Sequence, residues 1–231
     1  MSNIQVYLDK ARFWVQSHPW KAVSIVCGII ALWFVIHGVD LYGQNQTQRD
    51  AIDSRDKTVA QLQPVSANLI SQMQAASKLY DPAQSDPESI KYQFSSNVKD
   101  AELVELYSTG LRVAYENIDK VGVGKLAVLE SGAGAEQVSI RIINVKGQNK
   151  IALVKALGDD THSVLVYVQV PLTIIESVLP ASVSEGSYLA LRQGQLDLLT
   201  RGNAEFANTA EMNASVIAQT PWRIVVSSAI P

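Results

Sequence analysis

The sequence contains little of what a metal site or a disulfide framework requires. Its 231 residues include one cysteine and three histidines. A single cysteine excludes a disulfide within the chain, and so few Cys and His ligands leave little for a zinc site of the usual kind. We therefore expect no metal ion and no cofactor in this protein.

Basic residues are too few for a protein that binds nucleic acid. The chain carries 19 Lys and Arg against 22 Asp and Glu, for a formal net charge of −3 and a pI near 5.6. Binding to a phosphate backbone requires a concentrated basic face. The charge balance excludes a dedicated DNA- or RNA-binding protein, and we expect no nucleic-acid partner.

Nucleotide-binding motifs and catalytic carboxylate pairs are also missing. No GxxxxGK[ST] sequence occurs, and the glycine pairs at 122/124 and 132/134 lack the third glycine and the following helix of a dinucleotide fingerprint. Glu102 and Glu105 lie three residues apart on a predicted helix, where a solvated face explains them better than an acid/base pair.

The three histidines belong to different segments, so no two of them are expected in one site. His18 precedes the apolar run, His37 lies within it, and His162 lies in a predicted loop. The Asp-Asp-Thr-His sequence at 159–162 could hold a divalent ion, but Gly-Asp-Asp-Thr is typical of a hairpin turn with local hydrogen bonds. We favour the turn and predict no catalytic residue.

One long apolar run is present, close to the N-terminus. From Ala22 to Val39 no Asp, Glu, Lys or Arg occurs. As a helix this run spans about 27 Å, close to the ~30 Å hydrocarbon core of a bilayer. The alternatives are a buried core helix and a cleaved signal peptide, but the run is longer than the ~7 to 15 residues of a secretory apolar region. We predict an uncleaved transmembrane helix over residues 22–42.

The ends of this run suit a membrane interface, and its interior suits helix contact. Trp20 and Lys21 precede the run and Tyr42 follows it, as interfacial anchors do. Ser24 and Gly28 form a pair of small residues four positions apart, which lets two helices approach closely. We predict Trp20, Lys21 and Tyr42 as membrane-interface anchors. We predict Ser24 and Gly28 as contacts between transmembrane helices.

Positive charges predict the orientation of the chain. Lys10, Arg12 and Lys21 lie shortly before the run, whereas Arg49 alone lies in the first residues after it. Cytoplasmic flanks carry the excess of Lys and Arg. We therefore predict that residues 1–21 form a short cytoplasmic tail of a bacterial inner-membrane protein and that the long C-terminal portion lies in the periplasm.

Residues 43–80 are predicted to form a helical stalk. The segment is polar and has an apolar residue every three or four positions, a spacing that suits pairing with a copy of itself or with a partner subunit. Pro64 removes a backbone donor and predicts a break into two helices. Pro82 and Pro87, among Ser and Asp, predict a linker over 81–97. The apolar seam of the stalk consists of Ile52, Val59, Leu62, Leu69 and Met73.

Residues 98–231 are predicted to form an α+β domain with a mostly antiparallel sheet and one long amphipathic helix. The helix is predicted over Val98–Asp119, where apolar residues recur at helical spacing. The period then changes to two, with short turn sequences between runs that favour antiparallel hairpins. A short helix is predicted at 172–179. The predicted strands lie at 125–130, 137–145, 150–157, 163–170, 187–192, 195–200, 213–219 and 222–228.

This layout resembles the bitopic inner-membrane subunits of bacterial type IV secretion systems, both the conjugative kind and the type IVB kind similar to Dot/Icm. The shared features are a short basic inner tail, one span, a polar helical stalk and a compact outer α+β domain. The resemblance implies a non-enzymatic structural component that bridges the inner membrane and the periplasm. It also implies a homo- or hetero-oligomer with other secretion-machine subunits.

Three other functions remain open from the sequence. The first is a membrane-tethered periplasmic binding or sensor module, which needs a concave site with convergent polar groups. The second is an inner-membrane subunit of a type IV pilus or type II secretion assembly. The third is a tethered hydrolase, for which the candidate nucleophiles lack a base.

Overall fold

The computed structural model describes residues 13, 15, 17–82, 86–158, 163–208 and 213–228. The predicted turn at 159–162, with His162, and most of the predicted tail lie outside these residues. The chain divides into two compact units, residues 1–46 and residues 47–230.

The first unit contains the apolar part of helix α1, which spans Pro19–Lys78. Residues Pro19–Val39 have a mean hydropathy of 2.3, are long and apolar enough to cross a membrane, and are exposed throughout. The predicted N-terminal apolar helix is therefore confirmed, and it fits a single-pass membrane protein.

Helix α1 continues through Pro64 without the predicted break. A proline inside a helix removes the hydrogen bond to the carbonyl four residues earlier, which here belongs to Ala60. Both Ala60 and Pro64 are exposed, so water can bind the freed carbonyl. The cost of the missing donor is therefore small enough for one helix to persist.

The apolar side of α1 lies inside the second unit and does not form a separate stalk. Leu62, Leu69 and Met73 are buried in the same core as the strands, and Val59 packs against that core. Ile52 is half-buried. The periodicity was correctly predicted, but these residues are covered by the chain's own sheets, and the folded unit begins at residue 47 rather than residue 98.

The predicted linker contains a second helix, α2, over Pro87–Asn97. Asp86 caps it, because its Oδ1 accepts hydrogen bonds from the backbone N–H of Glu88 at 2.9 Å and of Ser89 at 3.0 Å. Pro87 occupies the first helical position, where the missing N–H costs nothing. Ile90 and Phe94 are buried. The Asp-Pro sequence is therefore a helix start and not a linker signal.

Sheet A contains the first four strands in the order β1-β4-β3-β2, and every pair is antiparallel. Short helices α3, α4 and α5 follow β1. The strand bounds are β1 Leu103–Ser108, β2 Ser139–Val145, β3 Gln148–Leu157 and β4 Val164–Pro171. The helix bounds are α3 Arg112–Glu116, α4 Ile118–Val121 and α5 Val123–Ala133.

Two predictions near the start of sheet A are wrong. The predicted amphipathic helix over Val98–Asp119 contains strand β1, and the predicted strand at 125–130 lies in helix α5. Short apolar runs fit both a period of two and a period of 3.6. Pairing of every residue of β1 with β4 decides the outcome for the first segment.

Sheet B contains the last four strands in the order β6-β5-β8-β7, again all antiparallel. The predicted hairpins β5–β6 and β7–β8 are confirmed, as is a short helix, α6, after β4. The bounds are α6 Thr173–Glu176, β5 Ser187–Gln193, β6 Leu196–Gly202, β7 Asn213–Val216 and β8 Trp222–Ser228, with a 3-10 helix at Ala204–Asn208.

One hydrophobic core joins helix α1 to the inner faces of both sheets. Sheet A contributes residues such as Leu153 and Val168, and sheet B contributes residues such as Leu191 and Val226. The predicted α+β class with antiparallel pairing is confirmed, with two sheets in place of one.

A single side chain also ties the two sheets together. The amide of Gln193, at the end of β5, accepts from the backbone N–H of Ile142 at 2.9 Å and donates to its carbonyl at 3.0 Å. The same Gln193 oxygen accepts from the indole Nε1 of Trp222 at 2.9 Å. Gln193 thus satisfies backbone groups on β2, an edge strand of sheet A, in the way a neighbouring strand would.

Helix α5 packs closely on sheet A at Gly132, and this contact leads to a prediction. A Cβ atom at Gly132 would lie 2.2 Å from Cγ1 of Val154. We expect Gly132→Ala to lower the free energy of unfolding by about 2 kcal/mol, because overpacking outweighs the helix propensity of alanine. Chemical denaturation of the full chain in detergent measures this.

Gly134→Ala is the matched control, because a Cβ at Gly134 meets no atom within 4 Å. Combining Gly132→Ala with Val154→Ala should recover part of the loss. Equal stability of the two single glycine variants would contradict the packing described for α5.

Candidate functional site

The residues predicted to act in the membrane lie on the exposed surface of the first unit. Trp20, Lys21 and Tyr42 are exposed, and a Cβ at Gly28 would meet no atom. The hydroxyl of Ser24 donates to the carbonyl of Trp20 at 2.9 Å. Their roles as anchors and as transmembrane contacts stay predictions.

Polar side chains collect instead on the outer face of sheet A, which faces away from α1. Helix α5 covers the β2–β3 half of this face with apolar residues, including Leu126 and Leu129. The β1–β4 half carries charged, phenolic and amide groups. We call this set the outer-face cluster, and it consists of Glu105, Tyr107, Lys125, Tyr167 and Gln169.

Strand geometry places three of these side chains together. Glu105 on β1 lies directly opposite Tyr167 on β4. Side chains two residues apart on a strand share a face, so Tyr107 projects on the same side as Glu105. Lys125 reaches this face from the first turns of α5. Three separate elements therefore build the cluster.

An ion pair forms the centre of the outer-face cluster. The Nζ of Lys125 lies 2.7 Å from Oε2 of Glu105, and the hydroxyl of Tyr107 donates to the same oxygen at 2.6 Å. The Lys125 ammonium also lies 4.6 Å from the centre of the Tyr167 ring, within the range of a cation–π contact. The Lys125 side chain is 11% exposed and that of Glu105 is 35% exposed.

Hydrogen bonds extend the cluster toward the end of the sheet. The hydroxyl of Tyr167 donates to Oε1 of Gln169 at 3.1 Å, and the amide of Gln169 donates to Glu102 at 3.4 Å. Glu102 in turn pairs with Lys150 at 2.9 Å. Glu102 also lines an open groove of about 340 Å³ between α2 and β1.

The surroundings shift the protonation of these groups. Burial opposes ionisation of Glu105, but hydrogen bonds from Lys125 and Tyr107 outweigh it, so the pKa of this carboxyl lies below its usual value. Burial, reinforced by the Glu105 charge, raises the pKa of Tyr107 and of Tyr167. The hydrogen bond from Lys150 lowers the pKa of Glu102. Both carboxylates are therefore ionised and both phenols neutral near neutral pH.

This arrangement places an ammonium, a carboxylate, two phenols and an amide side by side, and the Glu105 carboxylate is more exposed than the ammonium of Lys125. Such a set can hold a small polar ligand. The sequence interpretation was wrong about Glu102 and Glu105, because neither lies on a helix. The alternation of Glu105 with Val104 and Leu106, which pack against the inner core, is the signal that indicates a strand.

The ion pair at Glu105 predicts a pH-dependent contribution to stability. We expect Glu105→Gln to lower the free energy of unfolding by about 1 to 2 kcal/mol near neutral pH, because Lys125 loses a partly buried partner. The folded pKa of Glu105 is lowered, so its contribution is present above the unfolded value of about 4.3. This contribution is lost as the pH falls through the folded pKa. The free energies of unfolding of the unaltered protein and of Glu105→Gln should therefore converge in acid.

Denaturation curves across a pH series measure this difference. The control is Glu116→Gln, whose partner Arg112 is 88% exposed, and the expected loss is at most about 0.5 kcal/mol. A loss at Glu105 that does not change with pH would contradict the electrostatic account.

Comparison with known proteins finds solved structures of similar fold but identifies no family. No family model and no curated protein matches the sequence. The chain is similar to the sensory domain of the Campylobacter jejuni chemoreceptor Tlp3, with a TM-score of 0.53 at 11% identity, covering 83% of this chain and 96% of that domain.

A second similar structure is the ligand-binding domain of the Pseudomonas fluorescens chemoreceptor CtaA in complex with L-isoleucine. The TM-score is 0.51 at 13% identity, and the match covers 84% of this chain and 93% of that domain. At such low identity the likeness shows the fold alone. That fold occurs in sensory and ligand-binding domains of chemoreceptors.

Proposed function

We propose that this chain is a membrane-tethered sensor module, whose domain from residue 47 onward binds a small ligand outside the cytoplasm. The observation that carries this proposal is the fold, which matches a chemoreceptor sensory domain over 83% of this chain. The match also covers 96% of that sensory domain. We propose a binding function without catalysis.

We further propose that the outer-face cluster recognises the ligand. The β1 side of the cluster is open, because about a third of the Glu105 side-chain surface is exposed to solvent. Tyr167 and Gln169 are buried beneath it. Side chains held by strands keep their positions better than side chains on loops. A ligand that carries charge would find a complementary partner in either Lys125 or Glu105.

The apolar helix Pro19–Val39 and the charges that flank it support the placement of the module. We propose that the N-terminus is cytoplasmic and that the domain faces the periplasm, in agreement with the distribution of Lys and Arg. A scaffold role in a type IV secretion system stays a prediction from the sequence layout, with no further support.

A ligand panel tests the sensor function. L-isoleucine, L-valine and the other common L-amino acids, at millimolar concentration, are added to the full chain in detergent, and thermal unfolding is followed. At least one should raise the Tm by several degrees, because a ligand at ~100 times its Kd stabilises by about 2.7 kcal/mol.

Lys125→Met and Glu105→Gln should both reduce that shift, whereas Arg112→Met on the surface should leave it unchanged. A shift that persists in both cluster variants would place the ligand elsewhere. A panel without any shift would contradict an amino-acid sensor.

A further inference from the structure

A second polar site lies at one end of sheet B, remote in sequence from the outer-face cluster. The β5–β6 turn at Gly194 and the β7–β8 turn at Pro221 both border a groove of about 400 Å³. Val216, Trp222 and Arg223 also line it. Gln195 and Thr220 complete the lining, so the groove combines apolar side chains, two uncharged polar side chains and one guanidinium group.

Two arginines near this groove differ in how their hydrogen bonds are satisfied. Arg192 on β5 lies directly opposite Arg223 on β8, so both side chains project from the same face. Arg192 holds Asp197 through both Nε and Nη2, and the Nη2 bond to Oδ2 measures 2.8 Å. The hydroxyl of Tyr188 donates to the same Oδ2 at 2.8 Å. Asp197 is therefore already engaged at both oxygens.

Arg223 has no hydrogen-bonded acid among the described residues, although its charge lies near enough to Asp197 to help lower the pKa of that carboxyl. Its Nη2 donates to the carbonyl of Gly194 at 2.6 Å, and its buried Nε has no acceptor among the residues that the structure describes. A buried donor without a partner costs about 1 to 3 kcal/mol. The edge formed by Nε and Nη2 is the one that Arg192 presents to Asp197.

A carboxylate could complete this edge in the way that Asp197 completes Arg192. A carboxylate on this edge would accept two parallel bonds and bring a full negative charge, whereas the Gly194 oxygen accepts one bond, so a carboxylate can replace that oxygen. Gly194 has a φ of 63° and a Cβ there would meet no atom within 4 Å. The turn that supplies the competing carbonyl is therefore open on the side where a side chain would stand.

The apolar walls restrict the rest of such a ligand. Val216 is 70% exposed and Pro221 is exposed beside it, so a short hydrocarbon group would remove apolar surface from water. Among the described residues that line the groove, Arg223 is the only one that carries a charge. A second carboxylate on the ligand would find no second cation among these lining residues.

We propose that this groove binds a small monocarboxylate with a short hydrocarbon tail, its carboxylate on the Nε–Nη2 edge of Arg223 and its tail against Val216 and Pro221. This site is independent of the sensor proposal for the outer-face cluster, because the two share no residue. Either can fail without the other.

Sodium butyrate and its uncharged analogue butyramide test the proposal with the full chain in detergent. Butyrate at millimolar concentration should raise the Tm by several degrees, while butyramide and sodium chloride should not. Arg223→Lys keeps the charge but lacks the two-donor edge, and it should weaken butyrate binding about tenfold or more, equivalent to the loss of about 1.4 kcal/mol. Arg201→Lys on β6, whose side chain bonds only backbone carbonyls, should bind as the unaltered protein does.

The proposal is overturned if butyrate gives no shift, if butyramide gives an equal one, or if Arg223→Lys binds butyrate normally. Should Arg223→Lys fail to fold, the Nε–H resonance of Arg223 in the unaltered protein decides. Butyrate should move that resonance downfield as the Nε donor gains an acceptor, and an unchanged resonance at saturating butyrate contradicts the site.

Discussion

Each of the two sheets in this chain has an apolar inner face, and a sheet of four strands must cover that face to be stable. Here the C-terminal part of α1 and the two inner faces share one core. Leu62 and Met73 of the helix are fully buried in it, as are Leu153 of sheet A and Leu191 of sheet B. Removing the helix would expose both sheets at once. The stability of the domain therefore depends on one shared helix, with Gln193 as a second tie between the sheets.

That constraint also determines where binding can occur. Because α1 covers the inner faces, the polar side chains of the two candidate sites lie on the outer face of sheet A and at the turn end of sheet B. In both places a strand pair holds polar groups in register, Glu105 beside Tyr167 in the first and Arg192 beside Arg223 in the second. The first site is internally paired, whereas the second retains an unsatisfied donor. This difference is why we propose different ligands for the two sites.

Much of the fold could be predicted from local pattern, because β2, β3, β4 and the later hairpins are short apolar runs rich in β-branched residues, separated by turn residues such as Gly, Asn and Pro. Strand β1 and helix α5 could not, since a short apolar run fits either period and only packing decides it. Strand β1 pairs with β4, which lies far along the chain, and α5 packs on the strands that follow it. The apolar seam of α1 could be predicted from the spacing of its apolar residues. That spacing shows that one face of the helix must be covered, but it does not show which surface covers it. The outer-face cluster could not be predicted from the sequence, because Glu105, Lys125 and Tyr167 come from three elements that only the tertiary fold brings together.

Native-state hydrogen exchange of the full chain tests the shared core most directly. If α1 and both sheets form one cooperative unit, the amides of residues 62–76 should exchange with the same opening free energy as those of β3, β4, β5 and β8. Exchange of the helix at an opening free energy lower by about 2 kcal/mol or more, with the strands still protected, would show a separate stalk and contradict this account.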